Sequence, residues 1–442
     1  NLLNLCSKKK YWYLLKLTNK VLKMAADSTT ELKYNKDELN PPDFLNLDFF
    51  LGVLQRDEND GELKIKELKI IPGTKPGDHF ASIMFKAIIS YTTKGREVLE
   101  RSLVVKTMPV SDGLKKDVLK VMPIFDREIK MYTKVLPEMQ RTMESIGDNE
   151  KIAPKMIYHS EEPPIIIFED ISKYGYQMQE EFFTFNKTIK IVKKLAKFHA
   201  LSFYLNDNKY ANDIHFPNYT GVLINESSID KFQLFCDGLG VLKDYIKNWS
   251  GFEEISDKIA KIEPKLMQDL LKLYKPNPEP GDNVLCHGDF QIKNMMYRMH
   301  GENIDEIFFL DFQLCFWAPP TIDLLYVLYE IGNPDARRRQ GEILAIYHNE
   351  FTNYLNRLGC IRKGPSLLEL NIDILKLGPL EILLGLCFLP MFYMDPTKVD
   401  MDNLGDPTYS KENFFIPFYK NPKVTDILKE ILTSLLHKGV LN

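Results

Sequence analysis

The sequence predicts an α+β protein of two unlike lobes, and three observations carry that prediction. Its 442 residues exceed what one compact core accommodates. Between about Leu63 and Lys106, apolar and polar residues alternate with the period of strands that bury one face. From about Ser172 onward the period becomes that of long helices, with one short β interruption.

Taken in order, ELKIKELKII, FASIMFKAIISY and EVLERSLVVK read as strands of an antiparallel sheet, with Thr93-Lys94-Gly95-Arg96 as a turn. FDREIKMYTKVLPEM follows as a helix, because Phe125, Ile129, Tyr132 and Leu136 fall on one stripe. PKMIYHS and PPIIIFEDI read as two more strands, and the chain crosses to the second lobe at Glu169 to Ser172. There KTIKIVKKLAKFHALSFYL, DKIAKIEPKLMQDLLKLY, TIDLLYVLYEI and RRRQGEILAIYHNEFTNYL are helical. The β interruption is NVLC, then MMYRM, a turn at HGENID, and EIFFLDF. The expected organisation is an extension over 1–23, a sheet-and-helix lobe over 24–171, and a helical lobe over 172–442. A cleft between unlike lobes is where a ligand is expected.

Composition narrows the function. The hydrophobic fraction of 44% and charged fraction of 27% suit a soluble globular chain, and a net charge of −4 offers no global attraction to nucleic acid or anionic lipid. The six cysteines show no CxxC spacing, which argues against a disulfide framework or zinc site and for a reducing, cytoplasmic setting. Cys286 and Cys315 read as small buried hydrophobes. Lysines interrupt every apolar run in residues 1–23, so no secretion signal is read there; Met24 looks like a natural beginning. A basic amphipathic membrane-surface helix is the other reading of that stretch. Leu377–Met394 is apolar but divided by Glu381, Pro379 and Pro390, and reads as buried core, so no integral membrane segment is expected.

The chemistry lies in HGDFQIKN, His287 to Asn294, between two apolar runs. Phosphoryl transfer from ATP needs a divalent cation on the phosphates, a positive group near them, and an acceptor hydroxyl held in line. Magnesium favours a few hard oxygen ligands. Asn294 and Asp311 can supply them, since the hairpin between them should bring both to one end. Asp289 then lies on the preceding loop, able to accept a proton from a hydroxyl. Each of the three taken singly could be a turn cap. On the sheet lobe, Lys106 ends a strand and Glu128 shares the helix stripe, so an ion pair that aims the amine at phosphate is expected. GTKPGDHFASIMF could cover phosphates with Gly73 and Gly77, or be a plain glycine turn. His199 and His287 read as braces of the loop, and Asp323 as a cap or loop brace.

VLCHGDFQIKNMMY followed by FFLDFQ resembles the signature of the ecdysteroid kinase-like proteins, also called CHK kinase-like, within the choline kinase and aminoglycoside phosphotransferase superfamily. PGDHFAS, the Lys106 strand, the Glu128 helix, IIIFEDI and LAKFHALSF share in the resemblance, which spans most of residues 40–420. It implies a protein-kinase-like bilobal fold and ATP- and Mg2+-dependent phosphorylation of a small-molecule hydroxyl. Carried over by position, Asp289 is the catalytic base, and Asn294 and Asp311 are the magnesium ligands. Lys106 and Glu128 orient phosphate, Ser82 belongs to the nucleotide-binding turn, and the backbone from Glu169 to Ile171 holds adenine. Family members commonly have Asn where this chain has His79 and Trp where it has Gln291.

The favoured acceptor is a steroid or other lipophilic alcohol, on the family resemblance and on the aromatic residues Phe316, Trp317, Tyr326 and Tyr329 near the loop. Those aromatics could equally be core. The rivals are a choline or ethanolamine kinase, for which no carboxylate-lined aromatic cage is identifiable, and a catalytically silent binding module, against which the intact Asp289, Asn294, Asp311 and Lys106 set speaks. Oligomeric state is not readable.

Overall fold

The computed structural model describes residues 36–442 apart from 75–81, 96, 110–121, 208–213, 223, 227–228, 276–282 and 394–410. Residues 1–23, Gly77 and His79, on which expectations were placed above, lie outside the described residues. The chain divides into two compact units: the residues up to Ile129 with Pro154–Gly175, and Lys130–Ala153 with Tyr176–Asn442.

The first unit is built on a five-stranded sheet. Strands β1 (Lys64–Pro72), β2 (Ile83–Thr92), β3 (Val98–Thr107), β4 (Met156–Glu161) and β5 (Pro164–Glu169) run in the order β1-β2-β3-β5-β4. Every neighbouring pair is antiparallel. Burial alternates along the whole of β2, with Ile83, Phe85, Ala87, Ile89 and Tyr91 facing inward. Helix α1 (Leu47–Asp57), which the sequence reading did not single out, covers that face with Phe50, Val53 and Leu54. Its start is fixed by Asn46, whose side chain accepts from Phe49 N at 3.1 Å. At its other end Arg101 reaches Asp57 at 2.5 Å and Glu58 at 2.6 Å, tying β3 to the helix.

The helix after β3 carries the expected stripe, with Phe125, Ile129, Tyr132 and Leu136 all buried. It is not one α-helix, however. Helix α2 (Ile124–Lys130) passes through a π turn at Met131–Val135 into α3 (Leu136–Ser145). Pro137 lies at the start of α3, where a missing N–H is tolerated.

The second unit is mainly helical. Helix α4 (Phe185–Asp207) is its centre, packed along the helix Gln340–Arg357. The single helix expected over DKIAKIEPKLMQDLLKLY is two, Glu253–Ile262 and Leu266–Leu273, because Pro264 cannot donate within a helix. The apolar run from Leu377 is buried core as expected, with a π turn at Leu383–Phe388. Its Glu381 is fully buried, bonded to Tyr329 Oη at 2.7 Å and Lys438 Nζ at 2.6 Å. Among the described residues no helix is long and apolar enough to cross a membrane. Two small antiparallel ladders interrupt the helices: β6 (Val284–Cys286) with β9 (Phe316–Ala318), and β7 (Met295–His300) with β8 (Asn303–Phe309).

Candidate active site

The loop from His287 to Asn294 leaves β6 through a turn that only glycine fits. Gly288 has φ of 82°, and a Cβ there would lie 2.3 Å from the carbonyl oxygen of Leu314. The two amides of this turn are gathered by one buried carboxylate: His287 N donates to Asp323 Oδ2 at 2.6 Å and Gly288 N to Asp323 Oδ1 at 3.1 Å. His199 Nε2 meets the same carboxylate at 3.1 Å, and its Nδ1 meets Tyr347 Oη at 2.9 Å. Burial holds the His199 pKa below its ordinary value despite the Asp323 contact, so the ring is neutral at pH 7. His199 and Asp323 are thus braces. So is His287, whose Nε2 donates to Leu310 O at 2.8 Å.

Past the turn, a short 3-10 segment, Ile292–Asn294, folds Asn294 back over Asp289. Asn294 Nδ2 donates to the backbone oxygen and to Oδ2 of Asp289, both at 2.8 Å. The hairpin of β7 and β8 then pairs Met295 with Phe309, and Leu310 N donates to Asn294 O at 2.9 Å. Asp311 therefore follows immediately across from Asn294, as the spacing led one to expect. Its backbone takes φ 62° and ψ 57°, a left-handed conformation uncommon for a residue with a Cβ.

Each aspartate is followed by Phe and then Gln, and both tripeptides work alike. Gln291 Nε2 donates to Asp289 Oδ1 and Oδ2 at 2.9 and 3.1 Å. Gln313 Nε2 donates to Asp311 Oδ2 at 3.0 Å. Phe290 and Phe312 are fully buried, the first edge-on to Phe309 at 4.9 Å, the second beside the His287 ring at 5.2 Å. The carboxylates are thereby held by rigid apolar anchors and amide clamps. Burial, and then the nearby charge of Asp311, push the Asp289 pKa up, against the opposing hydrogen bonds of Gln291 and Asn294.

In the first unit, Lys106 lies on the central strand β3, opposite Met84 of β2 and Ile166 of β5. It is more deeply buried than its sequence suggested, 4% exposed, and its Nζ meets Glu128 Oε2 at 2.5 Å. Glu128 is 1% exposed, and the Phe125 ring lies 5.9 Å from the amine. Buried Ser82 precedes Ile83, which pairs with Thr107, so it sits at the same end of the sheet as Lys106. Glu169, at the end of β5, exchanges bonds with Lys155: Lys155 N donates to Oε1 at 2.7 Å, and Glu169 N donates to Lys155 O at 3.0 Å. Ile171 is buried at the start of a 3-10 turn, Ile171–Tyr174.

Between those two lies a residue that sequence reasoning missed. Asp170, 3% exposed, accepts from Lys86 Nζ and Ser102 Oγ at 2.6 Å and from Ser172 N at 3.0 Å. Burial would raise its pKa, but these bonds outweigh it and hold the carboxyl down to about 2. The folded pKa lies below the unfolded value of about 3.9, so the stabilisation is present above pH ~4 and lost as pH falls toward 2. Asp170→Asn is expected to lower stability by about 1–2 kcal/mol at pH 7, discounted for screening, with the difference from wild type shrinking as pH falls through ~2 and closing only below it, near pH ~1.5. Urea titrations at the two pH values measure it; a difference that persists unchanged at low pH contradicts it.

The aromatic residues thought to border an acceptor site are packed interior. Phe316 stacks on Tyr274 at 5.0 Å, Trp317 stacks on Phe216 at 5.4 Å, and Tyr326 and Tyr329 are 2% exposed. Cys286 and Cys315 are buried, as expected.

The chain is a small-molecule kinase, a phosphotransferase of the α+β, protein-kinase-like bilobal class. It belongs to the ecdysteroid kinase-like family, whose sequence profile matches residues 76–360. Among solved structures it is similar to a choline kinase from Cryptosporidium parvum Iowa II (13% identity, 90% of this chain and 98% of that one, TM-score 0.43). It is also similar to a Plasmodium vivax ethanolamine kinase (14% identity, 96% and 94%, TM-score 0.38). An ADP-bound aminoglycoside phosphotransferase is a third (13% identity, 87% and 97%, TM-score 0.34). No curated protein matches.

Proposed function

We propose that the protein transfers the γ-phosphoryl group of ATP, with Mg2+, to a hydroxyl of a steroid or other lipophilic alcohol. The observation that carries this reading is the tethering of Asp289, Asn294 and Asp311 by one loop and one hairpin. The charge of Asp311 close to Asp289 makes a site that a divalent cation relieves. Asn294 also fits: its amide nitrogen is committed to Asp289, which leaves Oδ1 as a hard ligand atom. Bound there, Mg2+ would neutralise phosphate charge.

Asp289 accepts the acceptor's hydroxyl proton at a carboxylate oxygen. Asn294 and Asp311 hold the cation. The Lys106 amine, oriented by Glu128, contacts phosphate, and Ser82 belongs to the phosphate cover. The backbone from Glu169 to Ile171 takes the adenine. The family name supports the steroid acceptor, and the cytoplasm is the setting consistent with six cysteines that show no CxxC spacing.

Asn294→Ala and Asp311→Ala are expected to weaken MgATP binding by about 10-fold or more, while binding of ATP in EDTA changes little. Calorimetry with and without Mg2+ tests this; equal losses in both conditions would remove the two residues from a metal role.

A further inference from the structure

Lys194 lies on α4 and is 4% exposed, a place where an ammonium loses its water. What it meets there comes from two other parts of the same unit. From the loop after α3, Glu150 Oε1 lies 3.0 Å from Nζ, and the backbone oxygen of Lys151 accepts a second bond. From the end of β8, the ring centroids of Phe308 and Phe309 each lie 5.8 Å from Nζ, within reach of a cation–π attraction. Burial lowers the amine's pKa, and the charge of Glu150 opposes that shift. A methionine fills such a space without the cost of desolvating a charge, so packing alone gives no reason for a lysine here. What the lysine adds is donors aimed at the loop and a charge set against the strand's rings.

The strand end that Lys194 touches leads straight into the Asp311 turn. Phe309 N donates to Ile152 O at 2.9 Å, so the residue after Lys151 also grips β8. Asp311 follows two residues later, in its left-handed conformation. A residue with a Cβ stays in such a conformation only where its surroundings over-determine it. Phe309 is one of those surroundings: it is fully buried, and its ring stands edge-on to Phe290, the anchor beside Asp289, at 4.9 Å. On the other side of the turn, the Phe312 ring stands edge-on to Tyr132 at 5.7 Å. The chain is thus held before and after Asp311, and the hold before it runs through Ile152, Phe309 and Lys194. Lys197, three residues along α4, offers a contrast. It meets Asp148 Oδ2 at 3.0 Å and Glu150 Oε2 at 2.8 Å in the same loop, but its ring neighbour is Tyr354, at 5.6 Å.

We infer that Lys194 is a positioning residue: it fixes residues 150–152 against the end of β8 and so keeps the Asp311 carboxylate where it can ligate a divalent cation. This rests on the metal role proposed for Asp311 above, and adds to it a group that acts only through the strand and the loop.

The test is calorimetry of ATP binding over a range of Mg2+ concentrations, and in EDTA, at a temperature where circular dichroism shows each protein folded. It compares wild type with Lys194→Met, Lys197→Met, Phe309→Leu and Asp311→Ala. Expected for Lys194→Met is about a 10-fold rise in the Mg2+ concentration that gives half-maximal binding, with full binding recovered at high Mg2+ and no change in EDTA. Lys197→Met should lower the melting temperature yet keep the wild-type Mg2+ requirement, as a merely structural lysine would. Phe309→Leu, which leaves Lys194 bonded to the loop, should share the Mg2+ shift. A wild-type Mg2+ requirement in Lys194→Met or, if that variant does not fold, in Phe309→Leu overturns the inference and leaves the Asp311 role standing. So does an equal shift in Lys197→Met, which would make the effect a general cost of loosening the loop. An unchanged Mg2+ requirement in Asp311→Ala overturns the metal role itself.

Discussion

Asp289→Asn is expected to lower kcat by about 10²–10⁴-fold while the protein melts no lower than wild type. The carboxamide keeps the shape of the carboxylate and can still accept the Asn294 Nδ2 bond seen at 2.8 Å. What it loses is basicity. It also loses a negative charge close to Asp311, a position that raises the Asp289 pKa and so costs the folded state stability above the unfolded pKa. Wild-type activity should rise with pH through a value above that of an ordinary aspartate, and this limb should vanish in the variant. Pre-steady-state transfer and thermal melts on the same preparations decide the matter. Unchanged turnover would exclude Asp289 as the base.

Asp323→Ala carries the second large effect, and here the fold suffers first. One fully buried carboxylate accepts from His287 N, Gly288 N and His199 Nε2. Its removal strands three interior donors, and a loss of about 3–5 kcal/mol is expected in urea unfolding. Because two of those donors belong to the turn that delivers Asp289, kcat should fall even under conditions where the variant is fully folded. Asp323→Asn, which retains one acceptor oxygen, should lie between wild type and Ala in both measurements. Stability unchanged in Asp323→Ala would show that the turn is held by other means.

The parts of this site that were legible in the sequence are those set by local spacing. Asp289 and Asn294 share one loop, and the period-two pattern of the following hairpin brings Asp311 back to Asn294. Glu128 falls on the buried stripe of its helix, which was enough to pair it with Lys106. The repeated Asp-Phe-Gln was equally visible, yet its meaning was not, since a glutamine two residues after an aspartate makes no contact in most local conformations. It does so here because the 3-10 turns at Ile292–Asn294 and Phe312–Leu314 lie beside the two carboxylates. Other features depended on partners far along the chain. The β9 strand of three residues exists through pairing with β6, thirty or so positions earlier, and the Asp170 network draws on Lys86 and Ser102. The π turns at Met131–Val135, Val327–Ile331 and Leu383–Phe388 follow no pattern in side-chain hydrophobicity.

The left-handed backbone of Asp311 has a practical consequence for engineering. A β-carbon at that φ costs on the order of 1 kcal/mol that glycine would not incur, and asparagine would incur less of. Random libraries ranked by heat resistance should therefore enrich Asp311→Gly and Asp311→Asn, robust proteins that have discarded a carboxylate. Given the metal role proposed for Asp311, any campaign to toughen this chain should score turnover in parallel.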